Sequence, residues 1–377
     1  MQRRITFPHM GTSHIAIKAM LEAVGLEVVV PPPITRRTLS LGTQYSPEFA
    51  CLPLKINLGN FIEAYEKGAN TIVMAGGWGP CRFGYYAQVQ REILRDLGYE
   101  MEMIVIEAPD TRLTAILGQI KDLAAGATWW RIAKAVKFGW DKIKALDVLE
   151  CRFQKLRPRC AEQMEAEAIY RKALSDIDQA LDRSQLREAL LLMEEDISKL
   201  DVDWGKPVVR IGLVGEIYTV LEPFVNLDLE RHLGRLGAEV TRSIYLSQWV
   251  NDHLFMGWLP IKSTKELAVL ARPYVNYWVG GHGRETVGAA VYFSRLGYDG
   301  VIQVGPLTCM PEIVAQSILP TVSFQEDIPS LTIYFDEHSG EAGLLTRLEA
   351  FLDLIRRRQQ QAERRRKNNL EVAVRSL

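Results

Sequence analysis

No stretch of the 377-residue chain is apolar and uninterrupted for long enough to span a bilayer. The opening residues, MQRRITFPHM, lack the apolar centre of a secretory leader, so a cytoplasmic protein is expected. Bias of charge is missing too. With 45 Lys and Arg against 46 Asp and Glu, the formal net charge is −1, which gives no overall reason to expect nucleic acid or a membrane surface as partner. Cysteine is scarce: five residues, an odd number, widely scattered and with no C-x-x-C pair. That excludes the disulfide framework of a small secreted domain and the commonest zinc patterns. A nucleotide P-loop is also wanting. GGHGRETVG (residues 280–288) is Gly-rich and opens a helix, but it lacks the Lys-Ser/Thr ending and does not follow a clear strand.

What is present is an ordinary globular composition, 47% apolar and 24% charged, in a chain too long for one core. The first third alternates strands with helices. RITF reads as a strand, HIAIKAMLEAVG as a helix ending on glycine, and LEVVV as a strand stopped by PPP. LPLKINLGNFIEAYEKGA is helical, TIVMAGG a strand, YAQVQREILRDLGY a helix and MEMIVIEAP a strand. Such alternation predicts a doubly wound parallel sheet covered on both faces. From about residue 112 to 203 the pattern becomes long, charged and helical, with nothing that reads as a second sheet. Alternation resumes at KPVVRIGLVGEIY, with PFVNLDLERHLGRLG as a helix and AEVTRSIYL, DGVIQVGP and SLTIYF as strands. The two α/β halves start alike. The expected division is 1–111 and 205–340 as α/β domains, 112–204 as a helical insert, and 341–377 as a charged C-terminal helix fraying into a tail. The basic run RRRQQQAERRRKNN there reads as a solvated helix end or a partner-docking surface.

Three cysteines occupy like places. Cys81 lies between the strand TIVMAGG and a helix, Cys309 between DGVIQVGP and a helix, and Cys51 just ahead of the helix LPLKINLGNFIEAYEKG. In an open α/β sheet the carboxyl edge of the strands is where ligands bind. Helix starts lower a thiol's pKa, which predicts thiolates at these positions. Gly76, Gly77, Gly79 and Pro80 beside Cys81, and Gly305 and Pro306 beside Cys309, let backbone approach a bulky group. Two readings are open: small buried hydrophobes used for packing, or a three-cysteine metal site assembled from loops of two domains. For a metal, three thiolates without a familiar fourth zinc ligand fit an iron–sulfur cube with one open iron better than structural zinc. Cys151 and Cys160, both in the insert, read as structural.

ACLPLKINLGNFIEA, GGWGPCRFGYYAQVQ and GPLTCMPE resemble the 2-hydroxyacyl-CoA dehydratase and benzoyl-CoA reductase family, and more closely its CoA-enzyme activase-associated branch. GEIYTVLEPFVNLDLERHLGRLGAEV, GGHGRETVG and DEHSGEAGLLTRLEAFLD extend the resemblance to both α/β domains. It is weak in the insert. The resemblance implies two flavodoxin-like domains and one [4Fe–4S] cluster bound by Cys51, Cys81 and Cys309. It implies a low-potential electron from a separate ATP-hydrolysing, iron–sulfur activase, passed to a small substrate such as a CoA thioester for reduction or dehydration. A related branch holds a double-cubane cluster, but five cysteines with two in the insert favour a single cube. A homodimer or a heterodimer with a paralogue is compatible with the family.

Other candidates at the same sheet edge are His9 and His14 in FPHMGTSH, His282 in the GGHG loop, Glu216 in VGEIY, and Asp336, Glu337 and His338 in DEHSG. His9, His282 and Glu216 are the expected proton-handling residues, with ordinary loop and cap roles as the alternative. Gly79, Pro80 and Lys55 are expected around the cofactor, a lysine balancing cluster charge. Glu48 and Lys55 flank Cys51. The rival functional readings are a non-catalytic iron–sulfur carrier and a nucleotide-binding protein with structural cysteines.

Overall fold

The computed structural model describes residues 2–77, 81–106, 118–119, 121–124, 126–253 and 265–375. Domain 1 contains β1 (Arg4–Thr6), α1 (Ser13–Ala23), β2 (Glu27–Val28), α2 (Arg36–Tyr45), α3 (Leu52–Glu66), β3 (Thr71–Ala75), α4 (Tyr86–Asp96) and β4 (Glu102–Ile106). The insert contributes α5 (Trp129–Leu156), α6 (Gln163–Gln179) and α7 (Arg183–Ser198). Domain 2 follows with β5 (Val209–Gly215), α8 (Ile217–Leu221), α9 (Leu229–Arg235), β6 (Ala238–Arg242), α10 (Leu246–His253), α11 (Lys265–Leu270), α12 (Gly283–Arg295), β7 (Gly300–Pro306), α13 (Met310–Gln325) and β8 (Ser330–Phe335). One long helix, α14 (Glu341–Arg375), ends the chain.

Each sheet has four strands, all parallel, and the two share one topology: β2-β1-β3-β4 and β6-β5-β7-β8. The protein is thus an α/β structure of two flavodoxin-like parallel-sheet domains. The physical cause is legible in β5 (VRIGLVG) and β7 (GVIQVGP), which are apolar almost throughout and buried on both faces. In this strand order the chain reverses direction between β1 and β3, and again between β5 and β7. The carboxyl ends of those four strands are the switch points where such sheets open a crevice.

Local chemistry starts the helices. Thr35 and Thr38 form a reciprocal capping box on α2, Thr128 caps α5, and Asp182 accepts from the Ser184 and Gln185 amides at α7. α2 and α3 cross in direct backbone contact. A Cβ on Gly42 would lie 1.8 Å from the Lys55 carbonyl oxygen, and one on Gly59 would lie 2.0 Å from that of Thr38.

The largest apolar core fills domain 2 and is completed from outside it. Leu344, Leu348, Phe351, Leu352 and Ile355 of α14 seal one side, and Ile34, Leu52 and Ile56 enter from domain 1. The insert has its own core around Leu149, Phe153 and Ile177, joined by Ile15 of α1. Burying each such side chain contributes about 1.5–3 kcal/mol.

Three local expectations are corrected. The helix expected across PFVNLDLERHLGRLG starts only at Leu229, because Leu227 and Asp228 turn through φ of 55° and 54°. The strand in LEVVV is confined to Glu27–Val28 ahead of the three prolines. The C-terminal run stays helical to Arg375. Part of its basic sequence fastens it to domain 2, since Arg356 donates to the Leu236 carbonyl and Arg358 pairs with Asp327. Among the described residues no helix is long and apolar enough to cross a membrane.

Candidate functional site

Cys51 and Cys309 are the residues directly before α3 and α13, and Cys81 precedes a single 3-10 turn, Arg82–Tyr85, that leads into α4. Cys81 follows β3 and Cys309 follows β7, the equivalent strands of the two sheets, so both stand at switch points. Pro53 and Pro311, each in the first turn of its helix, leave no wasted donor there.

The structure brings the three loops together. Arg82 Nη1 donates to the Phe49 carbonyl at 2.7 Å, and Nη2 donates to the Thr308 carbonyl at 2.8 Å. Those carbonyls lie two residues before Cys51 and one before Cys309. Cys81 is near enough to both other thiols to raise their pKa. The Gly-rich loop closes in from domain 2: a Cβ on Gly281 would be 3.1 Å from Pro311 and 4.0 Å from Cys81 Sγ.

All three thiols are pushed up, not down, and burial is the first cause for each. Glu216 raises all three further, and Glu312 adds to the rise at Cys81 and Cys309. The expectation that helix starts hold thiolates here is therefore overturned. One turn of dipole is outweighed by desolvation beside two acids. Such thiols ionise when a metal's positive charge is beside them, and binding then releases protons.

The neighbours are proton carriers. Tyr86 is hydrogen-bonded to Cys51 Sγ, and its phenol is pushed far up by burial. Glu312 is 1% exposed, receives Gln303 Nε2 at 2.8 Å and the Thr286 hydroxyl at 3.1 Å, and is pushed up to about 8, first by burial. It is a neutral acid at physiological pH. Tyr334, on β8, is influenced by Glu312 and Cys309, and its buried hydroxyl has no hydrogen-bond partner.

The expected residues divide. Glu216 caps α8, accepting from the Tyr218 and Thr219 amides at 3.0 and 2.9 Å, and stands beside the thiols with its pKa raised by burial. His282 precedes α12, next to Gly281, and accepts the Thr286 amide on its carbonyl. His9 turns toward Glu222, with Nδ1 and Oε2 3.1 Å apart, and stacks on His14 at 4.9 Å. Burial and His9 hold His14 below the ordinary histidine pKa. Lys55 is 2% exposed and bonds Glu337 Oε1 across the domains at 2.5 Å. Glu48 and His338 are exposed, and Asp336 accepts the His338 amide. Gly79 and Pro80 lie outside the described residues. Cys160 is buried in the insert core and Cys151 is bonded to Tyr245, away from the other three.

Arg82, Tyr86, Glu312 and Tyr334 were not singled out by sequence. A signal existed for the first two, which flank Cys81 in PCRFGYY. None existed for Glu312 and Tyr334, whose place depends on how β7, β8 and α13 pack.

Among the described residues no group of three His, Cys, Asp or Glu side chains is placed to hold a metal ion. The residues that could hold a larger thiolate-bound group are Cys51, Cys81 and Cys309. Three soft sulfurs from separate loops, with the orphaned Tyr334 hydroxyl within electrostatic reach of Cys309, fit a group that supplies both positive charge and an acceptor. No protein-family model matches the chain, and no curated protein matches it.

Proposed function

We propose that the chain is an iron–sulfur redox enzyme of the 2-hydroxyacyl-CoA dehydratase type. Its [4Fe–4S] cluster would be ligated by Cys51, Cys81 and Cys309. Electrons of low potential would come from an ATP-hydrolysing activase in the cytoplasm, and the substrate is a small molecule such as a CoA thioester. The observation that carries this reading is the meeting of three cysteine loops from two domains around Arg82. When bound by Cys51, Cys81 and Cys309, the cluster would supply one-electron chemistry. The chain's own residues would do the rest. Glu312 carries a proton at neutral pH and sits within electrostatic reach of Cys81 and Cys309, so it is the group to deliver one at the crevice. Cys51 is buried, and Cys81 and Cys309 are half-buried at the crevice.

A non-catalytic carrier remains the second reading, favoured by the surface around the cysteines. Phe49 (73% exposed) and Tyr85 (71%), with Leu307, Met310 and Ile313, put apolar side chains in solvent beside the loops. Such a rim suits contact with another protein.

Iron and acid-labile sulfide on anaerobically reconstituted protein test the proposal. About four of each per chain, lost in Cys51→Ser, Cys81→Ser or Cys309→Ser and kept in Cys151→Ala, is the expected result. No iron in the wild-type chain would refute it. Turnover of an acyl-CoA with an activase separates enzyme from carrier.

A further inference from the structure

We infer that Arg82 is a positioning residue that makes one site out of three loops, by tying the cysteine loops of domain 1 to that of domain 2. The inference rests on the reading of Cys51, Cys81 and Cys309 as a joint site. Arg82 follows Cys81 directly, and its two terminal nitrogens donate to the Phe49 and Thr308 carbonyls, 33 and 226 residues away. A planar guanidinium presents two donors in a fixed fork and so serves two acceptors at once; an ammonium on a flexible stem does so poorly.

The acceptor side is shaped to match. The Cys309 amide donates to the Pro306 carbonyl at 3.0 Å, closing a turn in which Thr308 takes φ of 68°. Turns reserve that left-handed position for glycine, and β-branched residues rarely adopt it. Here the conformation goes with a Thr308 carbonyl bonded to Arg82 and a Thr308 hydroxyl 3.5 Å from the Phe49 carbonyl. Backbone from the Cys51 loop and backbone from the Cys309 loop thus meet on one side chain. Other contacts also join the domains: Glu222 accepts the Gly11 amide at 2.7 Å, Tyr218 bonds Asn57 at 3.2 Å, and Lys55, one turn after Cys51, pairs with Glu337. Arg82 differs from these in bonding the backbone of two cysteine loops at once.

The test uses metal-free, full-length protein and the bifunctional thiol reagent dibromobimane, with Cys51–Cys309 and Cys51–Cys81 cross-linked peptides quantified by mass spectrometry. In Arg82→Ala the Cys51–Cys309 cross-link should form about tenfold more slowly, while thermal unfolding and alkylation of Cys151 stay as in the wild type. Arg82→Lys should recover only part of the rate. If Arg82→Ala fails to fold, Arg82→Lys alone decides, and cross-linking at the wild-type rate overturns the inference. Absence of the cross-link in the wild type overturns it too. Iron uptake separates this inference from the reading beneath it. Full loading of Arg82→Ala would refute the role of Arg82 and leave the cluster standing. An Arg82-dependent cross-link in a chain that takes up no iron would refute the cluster and leave Arg82 standing.

Discussion

Asp147 offers a quantitative test of how the insert is seated on domain 2. It lies in the middle of α5, and its carboxylate accepts the Ser247 amide at 3.0 Å, at the second residue of α10. Burial pushes its pKa up to about 6 from 3.8; the Ser247 hydrogen bonds and Arg242 resist, and Glu150 adds to the rise. The folded protein therefore holds this proton more tightly than the unfolded chain does. Stability from this group is fully present below about pH 4 and falls as pH rises through about 6, since the folded state binds more protons in that window. A shift of about two units corresponds to about 3 kcal/mol at most. Asp147→Asn keeps an oxygen to accept the Ser247 amide and removes the charge. It should be no more stable than wild type near pH 4, and increasingly more stable up to pH 6, with a plateau above. Urea unfolding followed by far-UV circular dichroism across that pH range reads the difference directly. A difference that does not vary with pH, or a variant less stable than wild type at neutral pH, would refute the assignment of a buried, reluctant carboxylate.

Two further outcomes follow from backbone contact and from the orphaned phenol. Gly42→Ala forces a methyl into the Lys55 carbonyl, so it should cost about 2 kcal/mol or more and shift α3 with Cys51 at its start; an unchanged melting temperature would contradict the close crossing of α2 and α3. Tyr334→Phe removes a buried hydroxyl that lacks a partner, and should stabilise metal-free protein by about 1 kcal/mol, an advantage expected to vanish once iron and sulfide are bound. Loss of stability in the metal-free variant would mean that the hydroxyl is already satisfied.

Much of the architecture was legible in the chain itself. Strand and helix betray themselves through local periodicity, and the strands buried on both faces could belong only to covered parallel sheets. The position of Cys51, Cys81 and Cys309 at helix starts is equally local, because a Gly/Pro turn and a helix period are read within a dozen residues. The local reading misses α2, residues 36–45 behind the Thr35 capping box, and misplaces a boundary at Leu227 and Asp228, whose left-handed turn splits an otherwise helical pattern.

Tertiary structure decided what those residues are next to, and hence their chemistry. Sequence singled out Lys55 by its nearness to Cys51; that its partner is Glu337, 282 residues away, only the fold decides. His9 likewise finds Glu222, 213 residues on. The thiols were expected to be ionised because a helix start is a local feature; they are held neutral first by burial, with Glu216 adding to the rise, and both arise from other elements. Periodicity is a property of neighbours along the chain, so sequence determined the two sheets and the places of their cysteines. Desolvation and Coulomb interaction depend on distance through space, so only the folded chain determined what state those cysteines are in and which residues hold them together.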